Sequence, residues 1–326
     1  MVSGKGKRKT PIQRLSEWID QCLAKLKQYT KDIHICGNRN SFSKTDHDAT
    51  FMHMKEDYMR NGQLKPGYNV NVATCSDFII GSYISSDRND VHTLIPFMEQ
   101  LRKNYAGRNI GSVVVDSGYE SEENYCWFEA HPETELYVKP SNHEAVKHRK
   151  YRTDISRREN MAYDAQADAY TCANGKLLQR TREKKTHTAS GLEIATSVYE
   201  CNECDGCPLK EKCIRACGSK KPLEERYKVI YVSKRFARQR QAMEAKISSP
   251  KGCLLRVNRS IQAEGNFAYV KQDLDFRRFL LRGNMKVAAE WLLFSLALNI
   301  LHLHHKIQNR RLGSDLKIPS SFPAGL

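Results

Sequence analysis

Ser112-Val113-Val114-Val115-Asp116-Ser117-Gly118-Tyr119 reads as a short strand that ends on a carboxylate. Three successive valines favour a buried, pleated segment. Ser-Gly then breaks the chain, which leaves Asp116 at the strand's open end. In α/β folds ligands bind at that end. An Asp in this position also serves simply to cap the helix that follows.

The flanking sequence extends the α/β pattern. Upstream, residues 67–74 alternate, with Tyr68, Val70 and Val72 on one face. Cys75-Ser76-Asp77 makes a turn, and residues 78–85 return as a second strand. A helix from Asp90 carries Val91, Leu94, Ile95, Met98 and Leu101 on one side. Downstream, residues 120–130 read as a helix, and residues 135–139 as a strand closed by Pro140. Residues 141–255 break this rhythm. They hold an Asn174-Gly175 hairpin signal, a strand over 194–199, a cysteine cluster and a charged helix over 234–247. Helical patterning resumes over 258–282. An apolar helix over 287–303, short for a membrane span, closes the core. At the other end, Thr10 as N-cap and Pro11 at N1 open an amphipathic helix over 11–30. Its apolar residues are Ile12, Leu15, Trp18, Ile19, Cys22, Leu23, Leu26 and Tyr29. Residues 37–65 are polar and irregular. The expected organisation is a basic amphipathic helix at 1–40, a main domain built from 41–140 and 256–306, an inserted block at 141–255 and a flexible tail at 307–326.

The 326 residues include 53 Lys and Arg against 37 Asp and Glu, a formal net charge of +16. A basic excess of this size favours a polyanionic partner, because each phosphate contact releases condensed counterions. A generally basic, solvated surface explains the charge equally well. Residues 1–10 are basic and lack the apolar run of a secretory signal. Eleven cysteines without such a signal argue for thiols and metal ligands, not disulfides, and for a cytoplasmic protein.

Three groups of residues carry possible chemistry. Glu264 lies in a helical stretch with Ala268, Lys271, Asp275 and Arg278 near one face. Phe267, Val270, Leu274 and Leu281 form the neighbouring apolar stripe, and an ordinary amphipathic helix has the same pattern. A strand-end Asp116 and a helix-borne Glu264 make two arms of a divalent-metal site, and their carboxylates suit Mg²⁺ or Mn²⁺. Arg259, Arg277, Arg278 and Arg282 add positive charge for DNA phosphates. The second group is Cys201, Cys204, Cys207, Cys213 and Cys217. Four of the five at this spacing suit a structural Zn²⁺, with an iron–sulfur cluster or free thiols as alternatives. The third group, His302, His304 and His305, is placed to favour the dipole at a helix end.

At these residues the chain resembles the DDE transposases of bacterial insertion sequences. The resemblance rests on Val115 to Tyr119 with Ser121 to Tyr125, on the cysteine cluster with Cys207-Pro208-Leu209, and on Arg259 to Lys271 with Phe276 to Phe279. It implies a ribonuclease H-like mixed sheet with flanking helices, interrupted by the Cys-rich insertion. It further implies two metal ions held by two Asp and one Glu, with Asp116 the second acidic residue, Glu264 the third and Lys271 their basic partner. The implied activity is metal-dependent DNA cleavage and strand transfer on insertion-sequence ends and target DNA. A homodimer on DNA and a nucleoid-associated, cytoplasmic setting fit that activity. The sequence departs from the family's pattern in two places. The Tyr expected ahead of Glu264 is missing, leaving Arg259 as the only counterpart there. No strand bearing the first Asp precedes residue 67, and the polar segment Thr45 to Thr50 offers only Asp48 as a stand-in. The expectation is therefore an N-terminally truncated transposase of weak or no activity. The alternative is a zinc-containing nucleic-acid-binding protein without catalysis.

Overall fold

A computed structural model describes residues 4, 6, 8–54, 61–215, 220–313 and 316. The chain divides into two compact units. The first comprises Met1–Thr93 and Gln262–Asp315, and the second Leu94–Ile261 and Leu316–Leu326.

The first unit begins with α1 (Pro11–Cys36), six residues longer than the expected helix over 11–30, with Thr10 Oγ1 accepting from Gln13 N at 3.2 Å. None of its residues is buried. Two three-residue strands follow, β1 (Thr50–Met52) and β2 (Lys65–Gly67), paired antiparallel. They fall in the segment expected to be irregular. Their brevity and a Pro in β2 leave no alternation to detect. The expected hairpin is present as β3 (Asn69–Cys75) and β4 (Phe78–Ser85). Ser76 and Asp77 both have positive φ, as a two-residue turn between right-twisted strands requires.

The second unit contains α2 (Leu94–Asn104), β5 (Ser112–Val115), α3 (Glu122–Glu129) and β6 (Glu135–Val138). β5 and β6 pair in parallel. After a short α4 (Arg149–Arg152) comes an antiparallel five-stranded sheet of order β11-β10-β9-β8-β7. Its strands are β7 (Ala162–Asp164), β8 (Ala169–Thr171), β9 (Leu177–His187), β10 (Glu193–Cys201) and β11 (Lys228–Val232). Asn174-Gly175 turns β8 into β9, with Gly175 at φ 71°. Helix α5 (Lys210–Cys213) lies between β10 and β11, and α6 (Lys234–Ser248) and α7 (Pro250–Arg259) follow the sheet. Gly252 is required at the α6–α7 junction, because a Cβ there would collide with the Lys246 carbonyl and the Ile247 backbone.

From α7 the helical path continues through a π-helical turn (Ser260–Glu264), α8 (Gly265–Ala268) and a second π-helical turn (Tyr269–Asp273). It stops there. The expected helix over 258–282 is cut short because Asp275 takes φ 50° and the buried Glu290 carboxylate accepts from Leu280 N and Leu281 N at 3.0–3.1 Å. α9 (Asn284–Gln308) ends the described fold. Its Trp291 and Leu298 form the core of the first unit with Ile79 and Val270. The Asn299 side chain bridges Ile79 N and O, both at 2.8 Å. At 25 residues α9 is longer than its apolar run and passes the length and apolarity test for a membrane span. Val287, Trp291 and Leu298 are buried against the first unit's core, whereas Leu292, Leu293, Leu296 and Ile300 are exposed.

Mixed α/β structure is thus present, but not as one sheet. Among the described residues β3 pairs only with β4, and β5 only with β6. The Val113–Val115 strand is therefore not central in a sheet, and its valines are half-buried instead of buried. A strand flanked on one side only has one row of unpaired amides and one solvent-facing margin, which is why the valine run overstated its burial. The expected flexible tail lies mostly outside the described residues.

Candidate active site

Asp116 follows β5 directly and is exposed. Its Oδ1 accepts from Ser117 N at 2.7 Å and starts a 3-10 turn over Ser117–Tyr119. Its Oδ2 makes no hydrogen bond among the described residues, so one oxygen anchors the turn and the other is open to a ligand. The turn is fixed by Glu120, whose side chain is 1% exposed. Arg240 of α6 grips that carboxylate with two bonds, Nε to Oε1 at 2.8 Å and Nη2 to Oε2 at 2.9 Å. Ser141 N and the Tyr125 hydroxyl also donate to it, at 2.8 and 3.2 Å. Burial, followed by the Glu120 charge, pushes the Tyr125 hydroxyl far above its ordinary pKa, so it stays a donor. Arg235 makes a parallel tie, donating to the buried Glu122 at 2.7 Å.

Helix α6 is itself pinned at its first residue. Lys234 Nζ donates to both oxygens of Asp168 at 2.8 and 2.9 Å, and the Tyr199 and Tyr163 hydroxyls donate to the same carboxylate at 2.7 and 2.8 Å. The hydrogen bonds from Lys234 and then Tyr199 hold the Asp168 carboxyl down at about 2. This folded value lies below the unfolded one, near 3.9. The stabilisation is therefore complete above the unfolded value and is lost as pH falls through about 2. Asp168→Asn is expected to cost about 2 kcal/mol at pH 7, the scale of hydrogen bonds to a charged group. In urea unfolding across pH, the gap to the parent chain should close between pH 4 and 2. A gap of constant size would refute the charge-based account.

A cavity of about 450 Å³ opens beside this framework. Arg158, Lys228, Ser233, Phe236 and Arg240 are among its lining residues. The Glu159 carboxylate lines it as well, and Arg240 is already committed to Glu120.

Glu264 belongs to the first unit, where it ends the π-helical turn and is exposed. The face opposite to solvent is Gln262, Asn266 and Val270. Asn266 Nδ2 donates to Gln262 O at 2.7 Å, and its Oδ1 lies 2.8 Å from His302 Nε2. His302 is therefore a positioning contact for the Glu264 helix, not just a helix-end residue. Lys271 is exposed, with its ammonium 5.9 Å from the Phe267 ring. The two π-helical turns carry more residues per turn than an α-helix. The simple i, i+7 register between Glu264 and Lys271 therefore does not hold. Arg277, Arg278 and Arg282 are exposed but lie on the irregular segment before α9, not on the helix. Arg259 is half-buried at the end of α7, in the second unit.

Asp48, the stand-in for a first acidic residue, has another task. Its Oδ2 accepts from Asn284 N at 2.9 Å, while Asp46 accepts from Gly283 N at 3.2 Å and from the Tyr68 hydroxyl at 2.5 Å. Both carboxylates cap the N-terminus of α9. That role accounts for Asp48 without a metal.

Cys201 and Cys204 are buried with Leu178, Tyr199 and Ile230, and Cys172 packs against them. Cys172 was not part of the expected cluster, since it precedes it in sequence by a whole hairpin. Cys204 Sγ donates to Cys201 O at 3.5 Å and accepts from Lys228 N at 3.4 Å. Burial pushes the Cys201 thiol up to about 11 and raises Cys213 as well, which keeps both protonated at neutral pH. Cys207 and Cys213 are half-buried, and Cys217 lies outside the described residues. Among the described residues no three Cys, His, Asp or Glu side chains converge closely enough to hold a metal ion. The described thiols thus give the expected zinc site no support.

Residues 171–304, from the β8–β9 hairpin through α9, match a family model described as a transposase DDE domain. No curated protein and no solved structure matches the chain.

Proposed function

We propose that this chain, whose residues 171–304 match the model of a transposase DDE domain, works in DNA transposition by binding DNA and holding part of a metal-dependent strand-cleavage and transfer site. The family match carries this reading, because it includes the Glu264 helix and Arg240, the residue that grips Glu120 beside the Asp116 turn. Asp116 and Glu264 are the proposed ligands for Mg²⁺ or Mn²⁺. Bound metal of this class activates a water or DNA 3′-OH and stabilises the leaving oxygen. The protein's own part is to present an anchored Asp116 carboxylate with one open oxygen, and to offer Glu264 and Lys271 from an exposed helix surface. Arg259, Arg277, Arg278 and Arg282 meet DNA phosphates in this reading. A ribonuclease H-like domain interrupted by 141–255, a homodimer on DNA, insertion-sequence ends as substrate and a cytoplasmic, nucleoid-associated setting belong to it as well.

The same reading includes weak activity, because Asp48 is committed to capping α9 and the third acidic ligand is unassigned. Incubated with Mg²⁺ and DNA carrying its own element's ends, the chain should bind without useful nicking. Nicking that Asp116→Ala abolishes would contradict the weak-activity part and uphold the site. Cysteine spacing favours a second reading, a zinc-containing nucleic-acid-binding module without catalysis. The unconverged thiols count against it. One zinc per purified chain would support it, and no metal with all thiols titratable in the folded protein would remove it.

A further inference from the structure

The geometry points to α1 as a parallel two-stranded coiled coil formed with a second copy of this chain. Ile12, Leu15, Ile19, Cys22, Leu26, Tyr29 and Ile33 follow one another in alternating steps of three and four residues. That is a 3.5-residue repeat kept over three heptads, the period of a seam between supercoiled helices. Every one of these side chains is exposed, from 45% at Ile19 to 81% at Ile12, and no α1 residue is buried. An isolated apolar seam of this length, about 32 Å at the helical rise, requires a partner with the same period.

A second copy fits on three counts. With Trp18 and Leu23 the seam exposes on the order of 900 Å² of mostly apolar residue surface, close to the roughly 800 Å² per partner of a standard interface. The first seam position is Ile12, Ile19, Leu26 and Ile33, mostly the β-branched residues that parallel dimers prefer there, and the second is Leu15, Cys22 and Tyr29. The flanking positions agree with the same orientation. Parallel pairing sets Trp18 beside Leu23 of the second copy and Lys25 beside Thr30. An antiparallel pairing matches first seam positions to second ones and leaves either Ile12 or Ile33 without a layer partner. This names an interface for the homodimer in the reading above. It depends on the helix alone, so its failure would leave DNA binding by the same chain untouched.

Sedimentation equilibrium of the full chain should give a dimer, and the Ile19→Glu, Leu26→Glu double variant a monomer with unchanged circular dichroism. Both residues are exposed in the single chain, so the variant retains its fold. In the parallel register Cys22 faces Cys22 of the second copy. Copper-catalysed oxidation by dissolved oxygen, in which two thiols yield two protons and two electrons to form one disulfide, should give a covalent dimer that Cys22→Ser prevents. A monomeric parent chain, including one whose α1 folds back on the exposed face of α9, would overturn the proposal. So would a dimer indifferent to the double substitution, or one that Cys22 fails to link.

Discussion

Arg240→Ala should destabilise the second unit by about 3–5 kcal/mol, the cost of leaving one partner of a buried ion pair uncompensated. Glu120 has a 1% exposed side chain, and Arg240 supplies two of its bonds. After truncation only Ser141 N and the Tyr125 hydroxyl remain to a carboxylate cut off from water. The measurement is urea unfolding at pH 7. Replacing both partners, Glu120→Gln with Arg240→Met, should recover most of the loss, since no charge is then left buried. The Asp116 turn is built directly on Glu120, so Arg240→Ala should also loosen the site before the unit unfolds. A loss below about 1 kcal/mol would show that the pair is solvated and does not fix the turn.

DNA affinity should fall steeply with salt. If six to ten phosphates are contacted, raising salt from about 50 to 200 mM should weaken binding by about 10³–10⁵-fold. The net charge of +16 and the exposed Arg277, Arg278 and Arg282 motivate this. Fluorescence anisotropy on duplex DNA measures it. Each of these arginines changed to Ala should lower the log–log slope by about one. A slope near zero would contradict phosphate-led binding.

The elements legible from sequence were those with strong local period. The β3–β4 hairpin follows from alternation and a two-residue turn, and α6 and α9 lie close to their expected places. The β8–β9 hairpin follows from Asn174-Gly175. What escaped was set by distant partners. Nothing local marks Glu120 as the counter-ion of a residue 120 positions away, or Asp48 as a cap for α9. The helix over 258–282 reads as continuous because Leu274 and Leu281 keep helical spacing. Its end is imposed by Glu290, from the next helix. Cysteine spacing alone suggested a metal. Folding places Cys201 and Cys204 in an apolar core with Cys172, which spacing could not reveal. Asp116 and Glu264 were legible as residue types in the right local settings, each exposed at the end of its element. Whether they serve one ion, as proposed, depends on tertiary placement, beyond the reach of local pattern.

Their shared ion is the central claim, and metal-directed cleavage of the polypeptide tests it most directly. Fe²⁺ replaces Mg²⁺ at carboxylate sites and, with ascorbate and peroxide, cuts backbone close to where it is bound. The account predicts cuts near residues 116 and 264, both suppressed by excess Mg²⁺ and both lost in Asp116→Ala and in Glu264→Ala. Cuts at only one of the two positions, or cuts that survive either substitution, would contradict a shared metal site.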